Sequence, residues 1–345
     1  MQSKILIVLS AALTIGTFRV MAAPAASPAA STAPGPAVEV RGSDPNILYL
    51  GRWDLTDSGV ALGYWNGHYV RTKFSGTSVG VRLRNPVQLA VSIDGEPLRF
   101  INAQAGVTLL NDKPLKPGDH PLQIGSGGQN YEVAFQGLVL DPGAMTKPVT
   151  ARPVIEFIGD SITTGVGSNY AWCAAEMLGR DHTQIAFSGV ALTNNYGCSS
   201  KIGMDVQYFR LKNYNHSKDD PQLPWRFSYT PEVVVINLGQ NDQCGKAPPE
   251  AVTASYMQFV KNIRARFPDA PILMMRPFGG PYEKAIREAW EILRQTDPKV
   301  TFVDTTGWLG KDDYVDGIHP NATGHLKAAR LLANAIAPML ATTQP

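Results

Sequence analysis

A β-sandwich of the jelly-roll kind followed by a three-layer α/β/α domain with a parallel sheet is the fold class this sequence predicts, on three observations. Through residues 38–141 apolar residues recur with period two between turn residues. From Arg152 onward short continuous apolar runs alternate with segments of helical spacing. The chain has 345 residues, 44% hydrophobic and 17% charged, which suits a globular protein long enough to bury two cores.

At the N-terminus Lys4 precedes an apolar run from Ile5 to about Thr17, and the small-residue stretch Val20-Met21-Ala22-Ala23 resembles a signal-peptidase site. A signal peptide over 1–22 is therefore expected, and with it a secreted or periplasmic protein. The run is shorter than the ~20 apolar residues a spanning helix needs, and Arg19 interrupts its far side, so no stable membrane anchor is expected after cleavage. Residues 23–37 are nearly all Ala, Pro, Ser and Thr, with too little large apolar surface to offset the entropy of ordering, and read as a flexible linker.

The β-sandwich is expected over 38–145. Its clearest signal is Val87, Leu89, Val91 and Ile93 on one face, then Asp94-Gly95, then Leu98 and Phe100, the alternation and turn of a β-hairpin. Similar runs stand at 69–74, 79–83, 120–124 and 131–140, with no convincing amphipathic helix between them. The second domain is expected over 150–345. Its apolar runs at 154–158, 185–187, 233–238, 272–275 and 300–303 are of the kind found in strands covered on both faces. Val252, Tyr256, Phe259, Val260 and Ile263 recur at helical spacing between the third and fourth runs. In such sheets ligands bind outside the carboxyl ends of the strands, so the chemistry is sought just after each one. Residues 194–229 have no clear period and read as a functional loop.

Directly after the first of these strands comes Gly159-Asp160-Ser161-Ile162-Thr163-Thr164-Gly165, a tight turn leading towards a helix. A serine there is a candidate nucleophile whose own N–H can stabilise an oxyanion; the plainer reading is a helix cap. Ser188-Gly189 follows the second strand and Gly239-Gln240-Asn241-Asp242 the third. Gly189 offers an unobstructed N–H and Asn241 an amide donor, whereas a turn glycine and a loop held by side-chain-to-backbone bonds, for Asp242 above all, are the alternatives. After the last strand comes Asp316-Gly317-Ile318-His319-Pro320. The three-residue spacing lets the Asp316 carboxylate fold back on the His319 ring and fix its tautomer, leaving the other nitrogen for the nucleophile.

Taken together, GDS, Gly, GxND and DxxH, in this order and each after a strand, resemble the SGNH hydrolase superfamily throughout 152–340. The resemblance implies Ser161 as nucleophile, His319 as base and Asp316 as its orienting carboxylate. It also implies an oxyanion hole from the N–H groups of Ser161 and Gly189 and the Asn241 amide. The front domain is similar to that of carbohydrate esterase family 2, in Gly51-Arg52, Phe74-Ser75-Gly76-Thr77-Ser78-Val79, Asp94-Gly95, Pro117-Gly118-Asp119-His120 and Phe135-Gln136-Gly137-Leu138. That likeness implies a serine esterase removing acetyl groups from plant polysaccharides such as xylan and glucomannan. Ser188-Gly189-Val190-Ala191 lacks the basic residue expected after the glycine, while Asp316 is present where some relatives have no triad aspartate.

The remaining features narrow the function. Net charge is +2 with Lys and Arg scattered, which excludes the basic stripe of a nucleic-acid binder. The six histidines are dispersed, and the helix after Pro320 should turn His325 away from His319, so neither a metal site nor a cofactor is expected. An acetylated carbohydrate is the expected partner, with Trp308, Trp225 and Tyr196 as candidate sugar-stacking residues; core packing is the alternative for each. Of the three cysteines, Cys173 lies in a helical segment, 170–178, and should be buried as a small hydrophobe. Cys198 and Cys244 each follow a block placed at the site's rim and form the expected disulfide, with free thiols the alternative. The rival functions are a lipase or thioesterase on the same scaffold and a non-catalytic carbohydrate-binding protein.

Overall fold

A computed structural model describes residues 37–129, 132–214 and 223–340, so the expected signal peptide and all but the last residue of the expected linker lie outside the described residues. The front half consists of β1 (Val38–Arg41), β2 (Leu48–Asp54), β3 (Ala61–Gly76), β4 (Val79–Leu83), β5 (Val87–Ile93), β6 (Arg99–Ala103), β7 (Gly106–Leu109), β8 (Gly118–Ser126), β9 (Val133–Leu140) and β10 (Thr146–Lys147). All pair antiparallel, in two layers: β6, β5, β8 and the second half of β3 form one, and β7, β4, β9 and β1 the other. The period-two pattern is the cause. Val70, Phe74, Leu89, Val91, Leu122 and Ile124 meet Val79, Val81, Leu83, Phe135, Leu138 and Leu140 in one buried core. Within the β5–β6 connection Asp94 has φ 58° and Gly95 φ 75°, paired positive values at the centre of a tight turn closed by the Glu96 N–H on the Ile93 carbonyl at 3.0 Å. Phe100, which the alternation placed on the apolar face, is instead 53% exposed, since β6 is the edge strand of its layer.

The second half contains β11 (Val154–Gly159), α1 (Tyr170–Met177), β12 (Asp181–Ala186), α2 (Met204–Gln207), β13 (Val233–Asn237), α3 (Pro249–Arg266), β14 (Ile272–Met275), α4 (Glu283–Leu293), β15 (Val300–Val303) and α5 (Ala322–Ile336). The strands lie in the order β12-β11-β13-β14-β15, all parallel. Their runs are continuous because both faces are covered. Ile155, Phe157, Val233, Val235, Leu273 and Met275 pack against α1 and α5. Ile158, Val234, Ile236, Ile272 and Met274 pack against α3 and α4.

β12 begins four residues before the apolar run that marked it, at Asp181-His182-Thr183-Gln184, all buried. This strand joins the halves of the molecule. Gln184 pairs with Asn66 of β3, the Asn66 amide donates to the Ala186 carbonyl at 2.5 Å, the Asp181 carboxylate takes the Arg71 guanidinium at 2.6 Å, and the Tyr69 hydroxyl accepts the His182 N–H at 3.1 Å. The sandwich strand β3 thus extends the parallel sheet, and the described residues fall in one compact unit.

Candidate active site

β11 lies between β12 and β13, so successive connections leave it on opposite sides and open a crevice at its carboxyl end. Ser161 stands there, two residues past the last of β11. No helix begins at this serine, so the alternative of a helix cap is not met: α1 starts at Tyr170, capped by Asn169, whose side chain accepts the Ala171 N–H at 2.8 Å. The turn is held instead by Asp160. Its Oδ1 accepts the Ile162 N–H at 2.9 Å, and its carbonyl accepts those of Thr163 and Thr164 at 3.0 and 3.1 Å. The Asn169 amide closes the loop from the other side, donating to the carbonyls of Ile162 and Thr164.

His319 reaches this turn from the loop before α5. Its Nε2 lies 2.8 Å from the Ser161 Oγ, and its Nδ1 lies 2.7 Å from Asp316 Oδ2. Tyr314 bridges Pro320, and the Val315 N–H donates to the His319 carbonyl at 2.8 Å, so the loop doubles back on itself around the pair. Asp316 Oδ1 also accepts the N–H groups of His319 and Ile318 at 2.8 and 3.0 Å. Those bonds, the His319 backbone N–H foremost, then its ring, hold the Asp316 carboxyl well below the usual carboxylate range. An ionised Asp316 can only accept, so it keeps the ring proton on Nδ1 and leaves Nε2 able to take the serine proton. Both side chains are about half exposed.

Asn241 and Gly189 come to the same edge. The Asn241 amide donates to Asp160 Oδ2 at 3.1 Å, which brings it beside the residue preceding Ser161. Gly189 has φ +79°, and a Cβ there would meet the Ser199 hydroxyl at 2.5 Å, so both backbone and space call for glycine. Asp242 ties the two loops: its carboxylate accepts the N–H groups of Leu192 and Thr193 at 2.9 and 3.0 Å. Cys198 and Cys244 are joined by a disulfide between those loops, and Cys173 is free and half-buried. The front domain also reaches this rim, where the Ser188 hydroxyl donates to the side-chain carbonyl of Gln129.

Asp160 was not among the residues singled out from sequence, where it counted only as the middle of GDS. It is fully buried, and burial pushes its carboxyl up from 3.8 to about 7. Its only sequence signal is its place one residue before Ser161.

The aromatic candidates do not come together. Trp225 is a core residue, 7% exposed, packed with Phe227 and Tyr229 and lying beneath the buried Arg52 guanidinium, 5.5 Å from its ring. Arg52 also covers Trp65 and Tyr208, and is the counter-charge of the buried Glu156, which accepts from the hydroxyls of Tyr208 and Tyr229. Trp308 is half-buried against Phe278, and Tyr196 half-buried against the core under α3. His325 accepts the Tyr170 N–H at 3.3 Å and stacks on that ring, and burial, then His319, lowers its pKa to about 4. Among the described residues, no group of three or more His, Cys, Asp or Glu side chains is placed to hold a metal ion.

The strand order and the residues gathered at the carboxyl ends of β11, β12 and β13 define the class, an SGNH-type α/β domain behind a β domain. Comparison with known proteins gives the same division. The GDSL-like lipase/acylhydrolase family matches residues 157–327, and the carbohydrate esterase 2 N-terminal family matches 49–149. The chain thus carries a GDSL-like lipase/acylhydrolase domain with a carbohydrate esterase 2 N-terminal domain in front of it. It is 30% identical over 327 residues to the cellulase/esterase CelE of Acetivibrio thermocellus, covering 84% of this chain but only 39% of that relative. It is 26% identical to an acetylxylan esterase/glucomannan deacetylase of Cellvibrio japonicus, over 67% of this chain and 74% of that one. Among solved structures, a family two carbohydrate esterase from Clostridium thermocellum in complex with cellohexaose superposes with a TM-score of 0.72 at 29% identity, covering 85% of this chain and 98% of its own.

Proposed function

We propose that this protein is an exported serine esterase that removes O-acetyl groups from a plant-type polysaccharide or oligosaccharide, such as xylan or glucomannan. The observation that carries the reading is the chain of contacts Asp316 to His319 to Ser161, at 2.7 and 2.8 Å, beside the Asn241 amide. His319 takes the Ser161 proton as Ser161 attacks the acetyl carbonyl, and the oxyanion is met by the N–H groups of Ser161 and Gly189 and by Asn241. The collapsing intermediate expels the sugar hydroxyl, protonated by His319, and water then releases acetate by the same route. The carbohydrate is supported by the esterases this chain resembles, one of which has been solved with cellohexaose. Export is supported by the Lys4 and apolar N-terminal pattern and by the Cys198–Cys244 disulfide, a bond favoured in oxidising compartments.

A second reading, ester hydrolysis of longer acyl chains, is favoured by Val315 and Ile318, which flank Asp316 and are 75% and 42% exposed. One experiment separates the two. Acetate release is measured on acetylated xylan and glucomannan, beside hydrolysis of simple esters of increasing acyl length. The proposal expects acetyl esters to be turned over fastest and acetate to leave the polysaccharides. Activity that rises with chain length, with no acetate released, would overturn it.

A further inference from the structure

Asn241 is held from two sides. Its Nδ2 faces Asp160 Oδ2 at 3.1 Å, and its Oδ1 lies 3.1 Å from the Cys198 sulfur. Asp160 Oδ2 accepts from the Asn241 amide, and once its carboxyl is ionised, as pH rises through about 7, it has no hydrogen to offer a flipped amide, which would set oxygen against oxygen. The disulfide fixes where the amide lies. Cys198 donates its N–H to the Gly189 carbonyl at 2.9 Å, and Cys244 donates its own to the Asn241 carbonyl at 3.1 Å, so the bond joins the residues hydrogen-bonded to the two oxyanion candidates.

We propose that Asp160 and the Cys198–Cys244 disulfide are positioning groups for Asn241: Asp160 takes one amide hydrogen and leaves the other for the oxyanion, while the disulfide holds the amide against it. The proposal rests on the oxyanion role given to Asn241 above. Asp160→Asn breaks the arrangement in a defined way. Asp160 uses one oxygen for the Ile162 N–H and the other for Asn241, and an amide has a single oxygen to serve both. A variant that keeps the turn with that oxygen presents its N–H groups to Asn241 and favours turning the Asn241 amide over.

The test is a double-mutant cycle on acetyl-ester hydrolysis. Asp160→Asn and the pair Cys198→Ala with Cys244→Ala are each made in the wild type and in Asn241→Ala, and kcat and KM are measured. The expected result is a kcat loss of about tenfold or more for Asp160→Asn in the wild type, with KM changed less than about twofold, and almost no further loss in Asn241→Ala. The cysteine pair should lower kcat with the same dependence on Asn241. If that variant does not fold, phosphine reduction of the folded wild type and its reoxidation supply the comparison, kcat being expected to fall and recover while KM stays put. Equal losses from Asp160→Asn in both backgrounds would overturn the role of Asp160, and a reduced enzyme at full kcat would overturn that of the disulfide. A full kcat in Asn241→Ala itself would instead remove the oxyanion assignment beneath both.

Discussion

Asp316 gives an unusual test, because replacing it by asparagine should be worse than deleting it. Its Oδ1 accepts two backbone N–H groups, from Ile318 and His319, while Oδ2 faces His319 Nδ1 at 2.7 Å. In Asp316→Asn the amide oxygen stays on the two N–H groups, because the reverse orientation loses both bonds. The amide nitrogen then points its hydrogen at Nδ1. That forces the ring proton onto Nε2, 2.8 Å from the Ser161 hydroxyl it should deprotonate. A wrong tautomer in such a triad lowers kcat by about 10⁴-fold. Asp316→Ala imposes no tautomer, and water can reach the half-exposed ring, so the loss should be nearer ~10²-fold, the low end of what general acid–base catalysis contributes. The assay is kcat for acetate release at neutral pH, with the amount of folded enzyme checked by circular dichroism. An alanine variant as slow as the asparagine variant, or slower, would refute tautomer control as the role of this carboxylate.

Asp160→Asn should also change the pH dependence of stability. Burial raises the Asp160 pKa from 3.8 to about 7, so the folded protein binds that proton more tightly than the unfolded chain. The associated stability is full below about pH 4 and is lost as pH rises through about 7, a change of up to ~4 kcal/mol. Urea unfolding across that range should find a shallower decline in the variant, and parallel curves would contradict the cause. Arg52→Leu should cost about 3–5 kcal/mol by leaving the Glu156 carboxylate buried without a cation. Adding Glu156→Gln should recover part of it, and a neutral single variant would show that the pair carries no such coupling. Trp225→Ala should lower stability by about 3–5 kcal/mol as a core cavity does, with KM for acetylated xylan unchanged; a large rise in KM would restore its place at the substrate.

What could be read from the sequence was what one residue type and its spacing decide. The period-two runs, the Asp94-Gly95 turn and the continuous apolar strands follow from burial on one face or on two. Four blocks after four strands located the candidate site, and the strand order accounts for their meeting. Other features depend on partners far away in the chain. Asp181 opens β12 with a buried charge because its carboxylate takes the Arg71 guanidinium of β3, and α4 hid its buried face behind Ala285 and Ala289. Trp225 looked available for a sugar until Arg52, 173 residues earlier in the sequence, was found lying on it. Asp160 carried no pattern of its own; its part is visible only where its two oxygens divide between Ile162 and Asn241.

In the proposed mechanism Ser161 carries the acyl group. Enzyme quenched during turnover of an acetyl ester, digested and read by mass spectrometry, tests it directly. A peptide bearing one acetyl group on Ser161 is expected, and loss of both that peptide and acetate release in Ser161→Ala. Acetate release by Ser161→Ala at the wild-type rate would contradict it.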